Sequence, residues 1–225
     1  MHEALAASTW VCRWSALIRR GGSVLDVACG SGRHLRWLQQ QGFAVTGVDR
    51  DEPALAPLRA WGEVIVADIE SAPWPLTGRR FDAVVVTNYL WRALLPALRE
   101  ALAPGGTLIY ETFAVGNERY GKPSSPAFLL RAGELLEACR DLEIVAYEDG
   151  LLDHPLRRVQ RVVHQKQFQS CVASCTIMSG SRYDAKTRPS TIGAPRPQSQ
   201  RDASCSFMRP RGRDDGGSRP RAPAG

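Results

Sequence analysis

The sequence predicts an α/β domain built on a doubly wound, mostly parallel seven-stranded sheet with an antiparallel last strand. Three observations lead there. Short runs rich in Val, Ile and Phe alternate with amphipathic or Leu-rich stretches up to about residue 166, the pattern of strand–helix–strand units. One strand runs straight into a small-residue loop and then a helix, as ligand-binding edges of such sheets do. The last two strand-like runs are joined by a connection short enough for antiparallel pairing.

Taken in order, residues 9–18 read as a helix over the ligand edge, and residues 24–28 form the first strand. Residues 33–41 follow as a helix with Leu35 and Leu38 inward, closed by Gly42. The second strand covers residues 43–48; Pro53 opens a helix that runs to Trp61, and residues 64–67 give the third strand. Residues 81–87 are an apolar run suited to burial on both faces. A helix is expected over residues 94–103, stopped by Pro104-Gly105-Gly106, then a fifth strand over 107–113. A helix over 128–139, a strand over 142–147 and a final strand over 157–164, at or next to the sheet edge, complete the set.

Composition divides the chain. All six Trp and every Leu precede residue 167. Residues 1–166 carry 19 basic and 19 acidic side chains, so the whole net charge of +6 belongs to the last 59 residues, of which 30 are Ser, Pro, Gly or Arg. Such a composition buries too little apolar surface to offset chain entropy. The expected organisation is a domain over residues 1–166 and a disordered basic tail over 167–225, readable as a nucleic-acid-binding arm, a solvated extension or translation out of an ancestral frame. No apolar run reaches the ~20 residues of a membrane span, and Arg13, Arg19 and Arg20 interrupt any signal-peptide core, so a cytoplasmic location is expected. His164, Cys171, Cys175 and Cys205 match no zinc spacing, and no metal site is assigned.

The chemistry is carried by VLDVACGSGRH, residues 24–34. Gly30 and Gly32 let backbone approach a ligand closely. The dinucleotide pattern G-x-G-x-x-G is missing, and Asp26 is acidic where a pyrophosphate would be repelled but an amino or sulfonium group welcomed. Asp49, 17 residues beyond Gly32, stands where an acid accepts from a ribose diol, and Asp68 is a third acid at a strand end, able to accept from an adenine amino group. Each alone reads as a helix cap or turn residue; the ordered set points to a nucleoside site.

On the loop Asp26 to Gly32, the acid Asp49, the element Ala67-Asp68-Ile69, the strand start Phe81-Asp82 and the turn Ala103-Pro104-Gly105-Gly106, the sequence resembles class I S-adenosylmethionine (SAM)-dependent methyltransferases over residues 10–163. Ala28 departs from the glycine often found there. The stretch from Phe128 to Gly150 is similar to small bacterial methyltransferases of the tellurite-resistance type. The resemblance implies a Rossmann-like methyltransferase fold with SAM as cofactor. It implies that Asp26, Ala28, Cys29, Gly30, Ser31 and Gly32 hold the methionine part, and that Asp49 and Arg50 lie at the ribose. Asp68 and Ile69 would take the adenine, with Thr87, Asn88 and Tyr89 flanking the cofactor.

No catalytic residue is assigned, because alignment alone can supply ~7–11 kcal/mol for displacement at an activated methyl. His34 reads as a solvent-facing or cofactor-edge residue rather than a base, and Arg13 as a partner for the cofactor carboxylate. Tyr89 and Trp91 could face the cation, or simply pack beneath a loop. Residues 113–127 suggest a substrate lid, with Arg119, Tyr120 and Lys122 facing an anionic acceptor. The expected acceptor is a small molecule, nucleic acid remaining open through the tail. The alternatives are a nicotinamide-dependent oxidoreductase, disfavoured by Asp26, and a non-catalytic SAM-binding or RNA-associated module.

Overall fold

The computed structural model describes residues 6–168; the expected disordered tail lies outside the described residues apart from its first two positions. Seven strands form one sheet: β1 (Ser23–Val27), β2 (Ala44–Asp49), β3 (Glu63–Val66), β4 (Phe81–Thr87), β5 (Leu102–Phe113), β6 (Glu143–Asp153) and β7 (Leu156–Gln165). Their spatial order is β3-β2-β1-β4-β5-β7-β6. The first five pair in parallel, and β7 enters antiparallel between β5 and β6. The chain reverses between β1 and β4, which opens a crevice at the carboxyl ends of those strands.

The sheet's two faces carry two apolar layers. Val24, Ala83, Val85, Ile109 and Val163 point toward α1 (Thr9–Trp14), α2 (Arg33–Gln40) and α3 (Glu52–Leu55), meeting Trp10, Leu35, Leu38, Leu55 and Leu58. Leu25, Val27, Val84, Val86 and Leu108 face α4 (Leu95–Glu100) and α5 (Glu134–Ala138) through Leu95, Leu98 and Leu135. Each Val, Leu or Ile side chain among them, fully buried, contributes ~1.5–3 kcal/mol. Among the described residues no helix is long and apolar enough to cross a membrane.

Several expected elements change. Pro57 lacks the N–H that an α-helix from residue 53 needs at its next turn, so α3 ends at Leu55 and a 3₁₀ stretch covers Ala56–Ala60. The helix expected over 94–103 stops at Glu100, because Leu102 already pairs with Phe81. The register then jumps to Ala83 opposite Thr107, so Ala103 to Gly106 form a bulge at the start of β5 rather than a separate turn. The helix expected over 128–139 shrinks to Glu134–Ala138. Leu130 is extended there, donating to the Phe113 carbonyl at 3.0 Å, and Gly133, with φ +70°, starts the helix late. Finally, β6 and β7 outrun their expected ends because each pairs along nearly its whole length with the other.

Candidate functional site

The parallel strands end at a loop in which Ala28, Gly30 and Gly32 have φ of +52°, +52° and +73°. Glycine adopts that region freely; alanine does not. A left-handed L-residue costs about 1–2 kcal/mol, more than the roughly 0.4–1 kcal/mol of unfolded-chain entropy that separates Gly from Ala. Ala28→Gly is therefore expected to raise the unfolding free energy by up to about 1 kcal/mol. A lower urea midpoint in that variant refutes the strain at Ala28.

The acids at the next two strand ends are tied in differently. Asp49, closing β2, accepts the Gly30 N–H at 2.8 Å through Oδ2 and the Asp51 N–H at 3.0 Å through Oδ1. It thereby fixes the glycine loop to the neighbouring strand, while a carboxylate retains further lone pairs for a ligand. Asp68 accepts from Ser71 Oγ at 2.7 Å and from the Glu70 N–H at 3.0 Å. Those bonds, the hydroxyl's first, hold its carboxyl below the usual range. It caps its own turn as well as facing the crevice.

Ala28, Asp49, Arg50, Ala67, Asp68, Ile69, Glu70, Asn88 and Tyr89 enclose a cavity of about 320 Å³. That volume falls within the ~300–1,000 Å³ of small-molecule sites. Of the residues singled out in the sequence, the wall contains Ala28, Asp49, Arg50, Asp68, Ile69, Asn88 and Tyr89, with Gly30 held against Asp49 at its edge. Glu70 was not foreseen. The Tyr89 hydroxyl is buried without a hydrogen-bond partner, and burial, with the Glu70 carboxylate beside it, raises its phenol above the ordinary value.

Asp26, Cys29 and Thr87 stand behind this wall. Asp26 is 1% exposed, its Oδ2 has no partner, and burial pushes its carboxyl up to about 7. Cys29 packs its sulfur against β2, where a Cβ on Gly47 would come within 2.9 Å of it. Thr87 Oγ1 lies 3.2 Å from His34 Nδ1. The His34 Nε2 accepts the Ser8 N–H at 3.1 Å, which places the ring proton on Nδ1, directed at Thr87. Only 2% of His34 is exposed, and burial holds it neutral, its pKa lowered to about 3. His34 is thus an internal latch between the start of α1 and the end of β4, not the solvent-facing or cofactor-edge residue expected. Arg13 lies 4.9 Å over the Trp14 ring. Trp91 is partly exposed and absent from the cavity wall.

A second polar centre adjoins the first. Glu111 on β5, 1% exposed, takes Ser8 Oγ at 3.1 Å, Arg157 at 3.2 Å and Arg161 at 3.5 Å. Arg157 also donates to Asn88 Oδ1 at 3.3 Å. Arg161 stands directly between Glu111 and Glu148 across the β5–β7–β6 ladder, pairs with both, and lies 4.7 Å over the Trp10 ring. This cluster was missed, although an acid within the apolar run GTLIYETF and arginines four apart on one strand face were signals of it.

A parallel sheet with this strand order and an inserted antiparallel β7, bearing an acid-lined nucleoside-sized crevice at its carboxyl edge, is the architecture of the class I SAM-dependent methyltransferases. A family model described as a methyltransferase domain matches residues 24–106 of this chain. TehB from Haemophilus influenzae shares the fold with a TM-score of 0.61 at 21% identity, over 72% of this chain and 63% of that one. Among curated relatives, a malonyl-[acyl-carrier protein] O-methyltransferase of Pseudescherichia vulneris is 36% identical over 108 residues, 44% of this chain and 42% of the relative. A tRNA U34 carboxymethyltransferase of Azotobacter vinelandii is 28% identical over 186 residues, 67% of this chain and 54% of the relative. The chain thus spans about half the length of these two relatives.

Proposed function

We propose that the chain transfers a methyl group from SAM to a small-molecule acceptor. The cavity bounded by Ala28, Asp49, Asp68, Ile69 and Tyr89 supports this reading most strongly, because its donors, acceptors and apolar walls fit a nucleoside carrying a cation. Asp49 has lone pairs left for two ribose hydroxyls, Ile69 offers an apolar contact to a purine face, and Asp68 accepts from its amino group. The unpartnered Asp26 Oδ2 fits an ammonium near the glycine loop.

When bound, SAM supplies a methyl already activated by its sulfonium charge. The protein's part is alignment and exclusion of water. Asn88, in the left-handed region with φ +54°, closes the end of the cavity, and Arg157 anchors its amide oxygen. His34 serves this reading by fixing Thr87, the residue before Asn88, and takes no proton.

Calorimetry with SAM, S-adenosylhomocysteine and NAD tests the reading: the first two are expected to bind and NAD is not. Asp49→Ala is expected to weaken SAM by about 1.5–3 kcal/mol, the range for a hydrogen bond to a charged group. Unchanged affinity in a folded Asp49→Ala protein removes that carboxylate from the site, and NAD binding without a response to SAM overturns the assignment. Methyl incorporation into tRNA but into no small acceptor replaces the small-molecule reading with a nucleic-acid one.

A further inference from the structure

We infer that the acceptor is a small molecule with an apolar body and a single anionic group, seated in a second cavity that meets the first at Asn88; this rests on the methyltransferase reading above. The second cavity, a shallow hollow open to solvent, measures about 520 Å³ and is lined by Asn88, Phe113, Lys122, Pro123, Ser124, Ser125 and Phe128. Asn88 also lines the first cavity, so an acceptor there touches the wall beyond which the nucleoside lies.

The composition of the wall names the ligand class. Phe128 is 48% exposed, an apolar ring left to solvent at the edge of the hollow, and Phe113, closing β5, lines the same wall. Two phenyl rings and a proline favour a flat or compact apolar body over a hydrated one. Lys122 is the cavity's own cation, and among the described residues it has no carboxylate within ion-pair distance. Behind the wall Arg157, its charge already paired with Glu111, lies 6.0 Å from the Phe113 ring and holds Asn88 in place. No acid lines this wall, so a negative group entering it meets the Lys122 ammonium without a competing carboxylate in the lining.

The lid loop is also placed by this geometry. Asn117, 1% exposed, bonds the Pro123 carbonyl at 3.1 Å and accepts the Arg158 N–H at 3.0 Å, which pins residues 117–123 to β7 and turns Lys122 toward the cavity. Arg119 and Tyr120 line a different hollow, with Leu151 and Arg158, so of the three lid residues the sequence suggested only Lys122 belongs to the acceptor cavity.

The full-length chain saturated with S-adenosylhomocysteine is titrated with ring-hydroxylated benzoates and with their neutral benzamides, in the wild type and in Lys122→Met and Phe128→Ala. The benzoates are expected to bind about tenfold more tightly than the amides, the Lys122→Met change to erase that difference, and Phe128→Ala to weaken both series. S-adenosylhomocysteine affinity is expected to stay unchanged in both variants. Benzoates that bind no better than benzamides, or that bind equally to Lys122→Met, overturn the acceptor assignment while leaving the cofactor reading in place. Failure of the wild type to bind S-adenosylhomocysteine overturns the cofactor reading itself, and the acceptor assignment falls with it.

Discussion

Glu111→Ala is expected to lower the unfolding free energy by about 3–5 kcal/mol, the cost of leaving a buried charge without its partner. The side chains of Arg157 and Arg161 are 18% and 13% exposed, so neither can recover its lost pairing from water without moving. Arg161 keeps Glu148, whereas Arg157 has no other carboxylate partner among the described residues. The damage should therefore centre on Arg157 and spread to Asn88, which Arg157 holds. Glu111→Gln, which preserves shape and an acceptor oxygen, is expected to cost less than the alanine. Urea unfolding of the three proteins decides: a loss below about 1 kcal/mol in Glu111→Ala shows that the arginines find other partners.

Gly32→Ala is expected to cost about 2–5 kcal/mol, the sum of a left-handed L-residue and an overpacked contact. A Cβ at Gly32 would sit 2.5 Å from Leu58 Cδ1, and Leu58 is fully buried, so its side chain has little room to retreat. Combining Gly32→Ala with Leu58→Ala separates the two causes. Relief of the clash makes the double variant more stable than the sum of the single losses predicts, whereas simple additivity assigns the whole cost of Gly32→Ala to backbone conformation.

The central strands were legible because they are buried on both faces and therefore read as unbroken apolar runs. Phe81–Thr87 was read at its observed bounds for this reason. Helix lengths were not legible, because a leucine repeat such as that of residues 128–139 serves an extended segment equally well. Leu129 and Leu130 are buried as a short partner for the end of β5. In the site, the singled-out residues that line the cavity lie at strand ends or just beyond them, where topology alone fixes the direction of the chain. His34 and the Glu111 cluster escaped because their partners come from Ser8, Thr87, Arg157 and Arg161, remote in sequence. The β5–β7 pairing sets Arg161 opposite Glu111, while Ser8 and Thr87 reach His34 from ahead of α1 and from the end of β4. Asp82, part of the family-like pattern, bonds Ser23 and Arg19 at the opposite edge of the sheet, so it fastens β1 to β4 and does not touch the cavity.

The insertion of β7 between β5 and β6 bears on how the protein is made. While a ribosome is still translating, the parallel half of the sheet can assemble as soon as Phe113 emerges, but residues 107–113 of β5 then present a naked row of amide and carbonyl groups flanked by apolar side chains. Their permanent partner, residues 159–165, follows about 50 residues later, a delay of ~3–10 s at typical elongation rates. During that interval the nascent chain carries an adhesive border that only its own last hairpin can seal, and any message cut short before codon 156 would release a polypeptide with that border permanently open.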